Sequence, residues 1–139
     1  MSFLLRNNIL SHENVFIIPN NSGIINLDPL INQIQYIRAL NDIELKIIDI
    51  YDKHPELIDI YKHNQFIQFK LFIISNNNII LTFDPQICFP YDILPGSINL
   101  NPNYLNMYTI FSFDSALTWC LIFSGSILLN DTLKEKLFI

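Results

Sequence analysis

Glu56, Asp59 and His63 are the residues whose types and spacing come nearest to chemistry. At i, i+3 and i+7 of a helix, two carboxylates and an imidazole share one face, a set able to exchange protons or ligate a metal. The same spacing describes the solvated side of an amphipathic helix whose inner side is Leu57, Ile58 and Tyr61, and the cluster is read that way. No catalytic residue and no metal ligand is therefore assigned. His54 and His63 lie nine residues apart, half a turn out of phase on one helix, and do not ligate together. His12-Glu13 reads as a loop pair. Cys88 has no adjacent base to lower its pKa and reads as inert, while Cys120 between Trp119 and Leu121 reads as strand packing, and the two form no metal-ligand pair. Ser124-Gly125-Ser126 lacks the Gly-x-Ser-x-Gly elbow of a nucleophilic serine and reads as a small polar turn. With 3 Gly and 2 Cys in 139 residues the chain has neither a glycine-rich phosphate loop nor a disulfide scaffold. No cofactor is expected.

The elements that must position these side chains follow from periodicity. Val15 to Ile18 is a short apolar run closed by Pro19-Asn20-Asn21-Ser22-Gly23, a strand ending in a turn. Asp28-Pro29 reads as a helix start, with Leu30, Ile34 and Ile37 forming the buried stripe of a helix that runs to about Leu40. A second helix is expected after Asn41-Asp42, burying Ile43, Ile47, Ile50 and Tyr51, and a third short one opens at Pro55. From Phe66 the period becomes two: Ile67 to Ile74 and Ile79 to Phe83, joined by Asn76-Asn77-Asn78, predict a β-hairpin. The stretch Asp84 to Asn106 holds Pro85, Pro90, Pro95 and Pro102 and shows no period, which marks a functional segment or one hiding a short element. Strands are expected over Met107 to Phe113 and Leu117 to Phe123, and a closing helical turn over Asp131 to Phe138. There is no sequence repeat. The order predicts an α+β domain spanning residues 1–139, with N-terminal helices packed on one face of an antiparallel β-sheet.

Half of the residues are hydrophobic and only 15% charged, which excludes a disordered chain. The amino terminus lacks a basic segment followed by a sustained apolar stretch, so a cytoplasmic protein with reduced thiols is expected. Ile110 to Leu129 is the most membrane-like run, but Asp114 and four serines interrupt it, and two buried strands explain it better than a span. Net charge is −5, a field that repels nucleic acid and anionic membranes and attracts basic partners. Lys and Arg together number 8 although Ile and Asn are abundant, a bias towards AT-rich codons that should also enrich Lys.

What remains is a surface. Asp42, Asp49 and Asp52, continued by Glu56 and Asp59, place carboxylates along the outer sides of consecutive helices, with Tyr91 and Asp92 of the Pro-rich stretch as neighbouring anchors. The same carboxylates also serve solubility. The rival uses of the chain are a small enzyme built on Glu56, Asp59 and His63 and a subunit whose apolar surplus covers a homo-oligomeric interface.

In single-domain size, helices before an antiparallel sheet, the acidic stretch Asp42 to Asp59 and the late aromatic run Leu117 to Leu128, the chain resembles the small acidic immunity proteins that bacteria encode beside toxins. The resemblance implies a non-enzymatic inhibitor, monomeric or weakly dimeric, that binds one cognate and basic toxin domain. It would plug the active site or block it from an adjacent surface. The resemblance transfers no individual residue role.

Overall fold

A computed structural model of the chain describes residues 14–61, 65–84, 87–88 and 97–137. It contains strands β1 (Phe16–Ile17), β2 (Gly23–Leu27), β3 (Ile34–Ala39), β4 (Ile43–Ile47), β5 (Ile67–Ser75), β6 (Ile79–Phe83), β7 (Ile87–Cys88), β8 (Ser97–Leu100), β9 (Tyr104–Ser112) and β10 (Trp119–Leu128). Three short helices accompany them, α1 (Ile50–Lys53), α2 (Leu57–Ile60) and α3 (Asp131–Leu137). The strands form a six-stranded sheet in the order β1-β3-β5-β9-β10-β7 and a four-stranded sheet in the order β2-β4-β6-β8.

From β1 to β6 the chain alternates between the two sheets, so that each pair of strands is one coil and successive coils stack in parallel. Gln35 lies beside Phe16 and Leu71 beside Gln35 in one sheet; Ile43 lies beside Gly23 and Leu81 beside Ile43 in the other. Parallel neighbours need a crossover, and here the strand in the opposite sheet supplies it. Of the later strands, β8 runs antiparallel on β6 and β9 antiparallel between β5 and β10, while β7 lies parallel beside β10. Ile25, Leu45 and Leu81 from the smaller sheet meet Ile37, Leu71 and Ile110 from the larger in one core.

The corners between sheets are built from polar residues. On one side Leu40 donates its amide to Asn21 (2.9 Å), and the Asp42 carboxylate takes the Ile80 amide (2.8 Å). On the other, Gln35 is 1% exposed, yet its amide donates to the carbonyls of Asp28 (2.8 Å) and Asn32 (3.1 Å), which satisfies a buried polar group. On this second side the β4–β5 connection carries α1 and α2.

The expected α+β arrangement is overturned: the structure is mostly strand, in two mixed sheets, and among the described residues the longest helix, α3, follows β10. The first expected helix is a turn and β3. The Asp28 carboxylate accepts from Leu30 (3.0 Å) and its carbonyl from Ile31 (3.3 Å), so Asp-Pro closes a turn instead of capping a helix. The second is β4 and one helical turn, because Ile43, Leu45 and Ile47 alternate with Glu44 and Lys46 at period two as well as fitting a helix. The third survives only as α2, with Ile58 exposed instead of buried.

β5 and β6 occur where strands were expected but do not form a hairpin; Asn76 to Asn78 turn the chain from one sheet to the other. Ser124-Gly125-Ser126 is no turn either. Phe123 opposes Tyr108 and Gly125 opposes Met107, so Ser124 is the extra residue of a bulge in a continuous β10, and Gly125 takes φ +135°. The absence of a repeat holds for residue identities only, since the coils repeat structurally. The closing helix is α3. Pro85, Pro90 and Pro95 lie outside the described residues, as do His12, Glu13 and His63. Among the described residues no helix is long and apolar enough to cross a membrane.

Candidate functional site

The α1–α2 connection and the β9–β10 loop meet at one end of the molecule. Asp49 caps α1 by accepting the Tyr51 amide (2.9 Å), and the break at Pro55 leads into α2. Lys53 reaches back to Asp28 at 2.6 Å, tying α1 to the β2–β3 corner. His54 lies 3.6 Å from Glu56.

The β9–β10 loop is held rigidly in an unfavourable backbone form. Ser115 and Ala116 have φ of +59° and +70°, left-handed values that cost about 1 kcal/mol or more each outside glycine. Such strain persists only where the surroundings over-determine it. Here the Ser112 hydroxyl accepts the Ala116 amide (2.8 Å) and donates to Asp114 (2.8 Å), which also accepts the Thr118 amide (2.9 Å). Ser115 exchanges two hydrogen bonds with Gln65, and the Tyr51 hydroxyl donates to the Ser115 carbonyl. The loop is thereby pinned to α1 and to the start of β5. Its flanking side chains point outward: Leu117 is 81% exposed and Phe113 57%.

The electrostatics of this end are negative. Burial, with Tyr61, Asp49 and Asp114 close by, pushes the Tyr51 phenol above its ordinary value, which places these groups in one field. Burial also acts to raise the Asp114 carboxyl, but hydrogen bonds from Thr118 and Ser112 outweigh it and hold that group below its ordinary value. Asp52, Glu56 and Asp59 are exposed on the same connection, where Lys53 is paired with Asp28; the other lysine of the connection, Lys62, lies outside the described residues. Among the carboxylates stand exposed apolar side chains, Ile58, Ile60 and Phe66, beside the two on the loop. Next to Phe66 a recess of about 410 Å³ is lined by Pro29, Leu30, Asn32, Gln33 and Tyr61, among others.

Of the residues expected to contact a partner, Asp49, Asp52, Glu56 and Asp59 come together at this end, although not as one helical flank. Asp42 does not join them. It sits at the opposite corner, roughly 20 Å away along β4 at about 3.3 Å per residue, and caps the Ile80 amide. Tyr91 and Asp92 lie outside the described residues.

Glu56 and Asp59 are exposed and do not line the recess, and among the described residues no three His, Cys, Asp or Glu converge as metal ligands. Phe113 and Leu117, assigned above to strands, were missed. The signal for them was Ser112 and Asp114, turn-forming side chains that accept amides of their own loop. Family models, curated proteins and solved structures yield no match to this chain.

Proposed function

We propose that the chain is a non-enzymatic binding protein, an immunity protein of the bacterial cytoplasm that neutralises a cognate, basic toxin domain by occlusion. Its contact surface is the end formed by α1, α2 and the β9–β10 loop. The observation that carries the proposal is the pinned loop. A backbone strained at Ser115 and Ala116 and fastened to Tyr51 and Gln65 displays Phe113 and Leu117 beside the exposed carboxylates of Asp52, Glu56 and Asp59. Rigid apolar anchors lose little entropy on binding, and a negative surround accelerates encounter with a cationic partner. Helices before a sheet no longer support the resemblance, so support comes from net charge and from this end alone.

The test is a titration of the purified protein against the purified product of the adjacent reading frame. A stoichiometric complex in which that product's activity is lost supports the proposal; absence of a complex at micromolar concentrations refutes it.

A homo-oligomeric subunit is favoured by a different observation. The outer side of the six-stranded sheet carries Ile17, Tyr36, Phe72, Met107, Phe111 and Ile122. Light scattering that shows mass rising with concentration supports that use, and a constant monomer mass removes it.

A further inference from the structure

We propose that Cys88 and Cys120 are a dithiol pair that oxidises to an intrachain disulfide, fastening the two-residue edge strand β7 to β10. The two residues are direct partners in the parallel β7–β10 ladder, so both side chains stand on the same side of the sheet. Both are free thiols, Cys88 exposed and Cys120 half-buried. They lie within hydrogen-bonding reach of each other. Neighbouring strands are about 4.8 Å apart, inside the span of about 4.4 to 6.8 Å between Cα atoms that a disulfide tolerates. Among the described residues β7 pairs with β10 alone, through Ile87–Trp119 and Cys88–Cys120.

A small-molecule disulfide completes the chemistry. The Cys88 sulfur, the more exposed of the two, attacks one sulfur of the oxidant as its thiolate. A mixed disulfide forms and one small thiol leaves. The Cys120 thiol then gives its proton to water and attacks the Cys88 sulfur, expelling the second small thiol. Two electrons and two protons pass from the protein thiols, and the oxidant disulfide becomes two thiols. Burial and the neighbouring Cys88 push the Cys120 thiol above its ordinary value, which suits it to the second, intramolecular step, where proximity compensates for a small thiolate fraction.

The experiment equilibrates the full chain in a series of oxidised and reduced glutathione mixtures, alkylates with iodoacetamide, and reads intact mass and peptide maps. The expected product is a monomer lighter by two hydrogens, carrying no alkyl group, with Cys88 linked to Cys120. Its formation constant should exceed that of the urea-unfolded chain by at least about tenfold. Cys120→Ser should stop at one glutathione on Cys88. Both thiols remaining open to alkylation in mixtures that oxidise the unfolded chain, or linkage only between chains, would overturn the proposal. If a serine variant fails to fold, the native chain's mass and peptide map still decide.

Discussion

Gln65 and Ser115 grip each other twice: the Ser115 amide donates to the Gln65 carbonyl at 3.0 Å, and the Ser115 hydroxyl accepts the Gln65 amide at 2.8 Å. Fifty residues apart in the chain, they fix the β9–β10 loop to the strand that begins the third coil. Ser115→Ala removes the hydroxyl that accepts the Gln65 amide and, with Gln65 itself exposed, should cost about 0.5–1.5 kcal/mol in urea unfolding.

Ala116 offers the complementary change. At φ +70° a glycine removes left-handed strain while adding unfolded-state freedom, so Ala116→Gly should fall between neutral and about 1 kcal/mol stabilising. A β-branched residue there worsens the strain, and Ala116→Val should cost more than about 1 kcal/mol. Paired denaturation curves distinguish the two; equal effects would mean that the loop is not held in this form.

Asp114 gives the loop a pH dependence. Its carboxyl is held below the ordinary value of 3.8, so the folded chain binds this proton more weakly than the unfolded chain. The resulting stabilisation is complete above about 3.8 and disappears as pH falls through the lowered folded value. The stability gap between the wild-type chain and Asp114→Asn should therefore be widest near neutrality and narrow in the acid range. A gap independent of pH would remove Asp114 from the loop's support.

The strands β5, β6, β9 and most of β10 were legible because their alternation is long and strongly apolar. β3 and β4 were not, and two particulars explain why. In β3 the inward position Gln35 is polar and the outward position Tyr36 is aromatic, so burial and hydrophobicity run opposite ways. In β4 the alternation covers only Ile43–Ile47 and merges into α1, so that Ile43, Ile47 and Ile50 also satisfy helical spacing. The pairing of strands between two sheets was beyond local pattern altogether, since the same Asn76-Asn77-Asn78 turn closes either a hairpin or a corner. At the candidate site the carboxylates from Asp49 to Asp59 were legible as a group. Phe113 and Leu117 were not, because adjacent strand pattern absorbed them.

Leu45 separates the two descriptions of β4 experimentally. On the expected helix it lies off the apolar stripe; in the strand it is 0% exposed between the sheets. Leu45→Ala should cost about 2–5 kcal/mol, whereas Ile58→Ala, at a side chain 62% exposed, should stay within about 0.5 kcal/mol. Denaturant midpoints for the two variants provide the check.

The central claim is that the end bearing the pinned loop meets a cationic protein, and association kinetics with the purified product of the adjacent reading frame test it most directly. Leu117→Ser should leave unfolding unchanged yet weaken binding at least about tenfold, mainly through faster dissociation. The double variant Asp52→Lys with Asp59→Lys should slow association by about tenfold at low salt, a difference that closes as salt rises. Wild-type affinity in Leu117→Ser together with salt-independent association of the charge-reversed variant would contradict the account.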